Sequence, residues 1–105
     1  MVTIKWNQKA IRLFIGHISY ARVEFGMTTA MRWFEQRRKI ESQLHIHPES
    51  FTPEPLLGGK KRIYRGAILM SNFKIIYVYY PSSETVRIVD IWDMRMNPQK
   101  LKKRL

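Results

Sequence analysis

Apolar positions along the chain change their period twice, and the changes mark out the elements. Val2, Ile4 and Trp6 alternate with Thr3 and Lys5, which is the period of a short strand over residues 2–6. Asn7 stands where a helix N-cap is wanted. From residue 8 to about residue 25 the period lengthens: Ile11, Phe14, Ile15, Ile18 and Phe25 form a helical stripe, broken once at Arg22. Gly26 is placed to end that helix and Thr28 or Thr29 to cap the next. The second helix runs to about His45 with Ala30, Trp33, Ile40 and Leu44 on its buried seam. Arg37 interrupts the seam, and its stem is expected to lie along apolar surface with the head in water. So short a link makes the two helices an antiparallel hairpin.

Residues 47–59 hold three prolines and two glycines and read as a long surface loop. Beyond it the period shortens again. Three strands follow over residues 62–70, 73–80 and 85–92, turning at Ser71-Asn72 and at Pro81-Ser82-Ser83-Glu84. Links this short make an antiparallel meander. The last two strands are apolar on both faces, which places them centrally with helices over at least one face. There is no internal repeat. The expectation is a single α+β domain over residues 1–105, ordered β-α-α-β-β-β, its helical hairpin packed on one face of an antiparallel sheet, with a basic tail over residues 97–105.

Composition narrows the function classes. Hydrophobic residues make up 45% of the 105, too many for a disordered chain. No apolar run approaches the roughly 20 residues of a membrane span, and the first residues lack a signal-peptide pattern, so a cytoplasmic protein with no membrane partner is expected. Cysteine is absent, which removes disulfides and thiolate zinc sites, and nothing in the sequence calls for a cofactor or a metal. The charge is lopsided: nineteen Lys and Arg against eight Asp and Glu give +11. Such a field draws polyanions, either nucleic acid, the ribosome or an acidic protein.

Three local patterns in this order carry a resemblance: the helical hairpin over residues 11–44, the strand Asn-Phe-Lys-Ile-Ile-Tyr-Val-Tyr-Tyr over residues 72–80, and the strand end Ile-Val-Asp-Ile-Trp-Asp-Met-Arg-Met-Asn-Pro over residues 88–98. Along nearly its whole length the chain resembles the RelE/ParE superfamily, the small basic toxins of bacterial type II toxin–antitoxin modules, also called plasmid stabilization proteins. In the second pattern Phe73 and Lys74 occupy the Tyr-Arg positions of the superfamily's Gly-Tyr-Arg-x-x-Tyr strand. The resemblance implies growth inhibition, a target that is DNA gyrase for ParE-like members or ribosome-bound mRNA for RelE-like ones, and a cognate antitoxin with an acidic segment. In the cutting branch, basic residues on the concave sheet face neutralise the scissile phosphate while an acid/base residue assists the ribose hydroxyl. Arg65, Lys74 and Arg95 fall on basic positions of that kind and are the candidate catalytic residues. Departures weigh against cutting. Ala67 stands where a second cation is expected, Asp93 precedes the final strand-end Arg by two, and no Tyr or His follows Arg95. Losing a general acid or base typically costs about 10²- to 10⁴-fold. The enzyme reading, an mRNA endoribonuclease, therefore ranks behind a ParE-like non-cutting toxin. A non-toxic basic nucleic-acid-binding domain is the alternative from another class.

Each candidate has a plainer explanation beside it. Arg95 ends an apolar strand before a Pro turn, where a sheet offers a cation to a ligand, or it pairs with Asp93 or Asp90 at the surface. With Arg65 and Lys74 it is expected to converge on an anion at the concave face; either of those two alone would mark a solvated strand face. Lys60, Lys61 and Arg62 follow Gly58-Gly59, a loop that can meet a phosphate or a partner's carboxylates but lacks P-loop spacing. His45 and His47 lack a third ligand in range. Tyr77, Tyr79 and Tyr80 suit base stacking or, on central strands, the core. The tail over residues 100–104 is a short helix touching polyanion or a solvated end.

Overall fold

The computed structural model describes residues 1–105. Strand β1 (Thr3–Trp6) leads into helix α1 (Gln8–Phe25), where the Asn7 side chain accepts from the Ala10 amide at 2.8 Å and so caps the first turn. Asn7 also donates through Nδ2 to the Val89 carbonyl at 3.2 Å, tying the helix start to the sheet. Gly26 ends α1 and begins α2 (Met27–Ile46) in one residue, at φ +95° and ψ 174°. That conformation suits glycine, and it makes an N-cap at Thr28 or Thr29 unnecessary; both threonines lie inside α2.

Strands β2 (Tyr64–Leu69), β3 (Phe73–Tyr80) and β4 (Thr85–Asp93) form the antiparallel meander, and the sheet order is β1-β4-β3-β2. Strand β1 joins β4 in parallel, Thr3 opposite Thr85 and Trp6 opposite Ile88, so the sheet is mixed rather than antiparallel throughout. The helical hairpin between β1 and the meander allows this, because a parallel neighbour needs a long crossover. A bulge between Ile76 and Tyr77 in the β3–β4 register leaves Val89 unpaired, so that Ile88 and Ile91 both join the core under the helices.

That core is built from Phe14, Trp33, Ile40, Leu44, Ile75, Tyr77, Val86, Ile88 and neighbours. The seam expected for α2 is the one observed. In α1 the buried positions are Ala10, Phe14 and Ala21, whereas Ile11, Ile15 and Phe25 of the expected stripe are exposed. Small alanines let α1 lie close to the sheet, and the larger residues are turned to its flank. Arg37 follows expectation: it pairs with Glu41 at 3.1 Å and its guanidinium lies over Phe14 and Phe34.

The second sheet face is closed by chain that the sequence leaves open. Helix α3 (Pro98–Arg104), capped by Asn97, packs Leu101 against Trp92, Ile76 and Leu57, the last from a short 3-10 turn at Pro55–Leu57. The basic tail is therefore an amphipathic cover whose Leu101 is wholly buried. No helix is long and apolar enough to cross a membrane.

Candidate functional site

The end of β4 turns back on itself. Asp93 accepts from Arg95 three times, from the backbone amide at 2.9 Å, from Nε at 3.0 Å and from Nη2 at 3.0 Å. These bonds hold the Asp93 carboxyl below the usual carboxylate range, the Arg95 side chain contributing most. The guanidinium lies 5.4 Å from the centre of the Phe73 ring. Phe73 in turn meets His17 at 4.6 Å and Trp33 at 4.8 Å, and His17 stacks on Trp33 at 5.5 Å. Burial lowers the His17 pKa, more strongly than nearby Asp93 raises it, so the imidazole is neutral at pH 7.

These side chains line a cavity of about 480 Å³ between the hairpin and the β3 and β4 ends. Tyr20 and Phe25, both largely exposed, meet edge to face at 6.2 Å beside its mouth. The β2–β3 turn supplies Met70 and Asn72. Met70 and Ser71 both hold positive φ, +52° and +63°, unusual for residues with side chains. Gln36 fixes that turn: its Oε1 accepts from the Met70 amide at 2.7 Å.

The expected convergence of Arg65, Lys74 and Arg95 does not occur. Strand alternation sends Lys74 to the face of Gly66, Ile76 and Trp92, while Arg65 shares the helix face with Tyr77 and Ala67. Arg65 also stands four residues along β2 from Leu69, the partner of Phe73, or roughly 13 Å from the Arg95 end. Each cation has its own partner. Arg65 donates to the Phe51 carbonyl at 2.8 Å and lies 3.6 Å from Glu49. Lys74 donates to the buried Glu54 at 2.6 Å. Arg95 belongs to Asp93, as the plainer explanation had it, yet it is also the cation at the cavity rim.

The basic loop is distributed as well. Lys60 donates to the Lys102 carbonyl at 3.0 Å, Arg62 lies over Tyr80 at 5.4 Å, and Lys61 is exposed. Tyr77 is fully buried and its hydroxyl donates to the Pro48 carbonyl at 2.8 Å; burial pushes its pKa up to about 12. His45 bonds the Val2 carbonyl through Nδ1, at 2.9 Å. No group of three His, Cys, Asp or Glu is placed to hold a metal ion.

Sequence reading missed His17 and the buried acids Glu54 and Asp90. His17 had a signal: it falls three after Phe14 and four before Ala21, on the side of α1 that faces the sheet. Glu54 had none, since its partner Lys74 is twenty residues away.

No protein-family model matches the chain, and no curated protein matches it. Among solved structures, a chain of the chromosomal ParDE TA system from P. aeruginosa superposes with a TM-score of 0.68 at 16% sequence identity. The match covers 89% of this chain and 96% of that one, so the two share the α+β fold over nearly their full lengths.

Proposed function

We propose that this chain is the toxin of a type II toxin–antitoxin pair, of the ParE-like, non-cutting kind, acting in the cytoplasm and neutralised by a cognate antitoxin. The observation that carries the reading is the full-length likeness to a chain of a ParDE system, 89% of this chain against 96% of that one. The charge of +11 supports it independently, because an acidic, partly disordered antitoxin segment would fold across a basic domain and compete with the target for the same field. DNA gyrase is the target class that fits best. Cleavage of a phosphodiester calls for several cations around one phosphate, and here Arg65, Lys74 and Arg95 are separated and individually paired.

A second reading, ribosome-dependent mRNA cleavage, is favoured by one observation. His17, a neutral imidazole, lies on the Phe73 ring that Arg95 covers, and so offers an acid/base group the sequence pattern lacked.

Inducible expression with and without the neighbouring gene tests the main reading. Growth should stop when this chain is made alone and resume when a short acidic partner is made with it. Arg95→Ala should weaken both growth arrest and partner binding while the fold stays intact, and Lys102→Ala should do much less. Loss of plasmid supercoiling identifies gyrase, and mRNA cut at ribosomal positions identifies the second reading. A chain that leaves growth unchanged in every arm is not a toxin, and the basic nucleic-acid-binding domain then takes its place.

A further inference from the structure

We propose that the cavity between α1, α2 and the β3 and β4 ends is an anchor pocket for one aromatic or long aliphatic side chain of an acidic peptide segment, with Arg95 at the rim receiving a carboxylate of that segment. The acidic character of the segment rests on the partner proposed above; the chemistry of the pocket does not.

Shape and lining argue for an apolar side chain. The cavity holds about 480 Å³, ample for one ring system, and its walls include Ala21, Trp33, Met70 and Phe73. Of the charged groups in its lining, Asp93 and Arg95 are paired with each other, and burial lowers the His17 pKa and so favours the uncharged ring beside an apolar occupant. The mouth argues that something covers it. Tyr20 is 61% exposed and Phe25 67%, two aromatic rings left in water beside a cavity they do not fill. Aromatic rings around a concave apolar site are what an anchor residue needs for its burial and its edge-to-face contacts.

Charge argues for an acidic neighbour. A guanidinium carries five N–H donors, and Arg95 spends only Nε and one on Nη2 on Asp93, which leaves three directed away from it. Asp93 holds the guanidinium 5.4 Å from the centre of the Phe73 ring, and the same carboxylate opposes a second anion at close range. The net field, +11 over the chain, decides in favour of the anion. A second copy of this chain would bring +11 against +11, which disfavours it as occupant.

The test uses the intact protein and three small probes, followed by NMR at the Trp33 indole and at His17 and Phe73. 3-Phenylpropionate carries a ring and a carboxylate, 3-phenylpropanol the ring alone, and propionate the carboxylate alone. The acid should bind with a Kd of millimolar order and shift those three residues. The alcohol should shift the same residues roughly two- to fivefold more weakly, and propionate should leave them unchanged. Arg95→Gln should make acid and alcohol equal, and Thr29→Trp, which fills the space from α2, should abolish both. The proposal is overturned if phenylpropionate leaves Trp33, His17 and Phe73 unmoved, if its shifts map to another surface, or if the acid keeps its advantage in Arg95→Gln. No growth or antitoxin enters the readout, so a negative result here leaves the toxin reading intact, and an inert expression test leaves the pocket standing.

Discussion

Lys74 reaches Glu54 across a residue with no side chain. A Cβ on Gly66 would lie 3.1 Å from the Lys74 Cδ and 3.4 Å from Glu54 Oε1, so glycine keeps open the channel in which the pair lies. The Glu54 side chain is 2% exposed, and its other oxygen accepts from the Leu56 amide at 3.2 Å, starting the turn that holds Leu57. Breaking a buried pair from one side leaves an uncompensated charge. Lys74→Ala should therefore lower unfolding stability by roughly 3 kcal/mol in urea titrations, and adding Glu54→Gln should restore a good part of it. A loss under about 1 kcal/mol would mean that water already screens the pair. Lys74 is thus a structural cation first, and any use of it by a ligand must compete with Glu54.

At the scale of elements, α3 is held by one buried apolar residue, one ion pair and the Lys60 bond to its Lys102 carbonyl. Leu101 enters the second core, and Arg104 donates to Asp90, a fully buried carboxylate on β4. The second oxygen of Asp90 has no partner, and burial raises its pKa above the ordinary value despite the opposing pull of Arg104. The sign follows from proton linkage. A carboxyl whose folded pKa exceeds its unfolded one binds more protons when folded, so its contribution to stability falls as pH rises from about 3.8 through the folded value and then levels. Asp90→Asn lacks this term. Its stability relative to the parent should climb across that same window, read from urea midpoints at a series of pH values. A relative stability that falls with pH instead would show Arg104 holding Asp90 well below the ordinary range.

For the whole molecule the charge is the property that reaches furthest. Field strength scales with the net +11 and is screened over about 8 Å at physiological salt. Association with an acidic partner should be fast at low salt and should slow steeply as salt rises, while the dissociation rate changes much less. Stopped-flow association across a salt series measures this, and rates flat in salt would remove electrostatics from recognition. Exposed Ile11, Ile15, Met27, Met31 and Phe34 show that the hairpin also leaves apolar surface in water, so the charge does not describe the surface alone.

Local pattern was enough for β1, the helical hairpin and the meander, while the tail that forms α3 stayed open. The alternation of Val2, Ile4 and Trp6, the α2 seam of Ala30, Trp33, Ile40 and Leu44, and the meander turns are all set by contacts between near neighbours, and they sit where the periodicity puts them. Pattern also showed that β3 and β4 are apolar on both faces and so placed helices over at least one of them, though not that α3 covers the second. What only the tertiary structure decided is how distant residues meet. The parallel addition of β1, the bulge at Val89, and the pairing of Lys74 with Glu54 and of Asp90 with Arg104 join residues far apart in the chain. The candidate site shows the same division. Arg95 was legible as a strand-end cation, but the strand period that sends Lys74 to one face and Arg65 to the other forbids the cluster their spacing suggested. His17, Trp33 and Phe73 lie on three different elements, and they become one cavity wall only because α1 and α2 fold across the same end of the sheet.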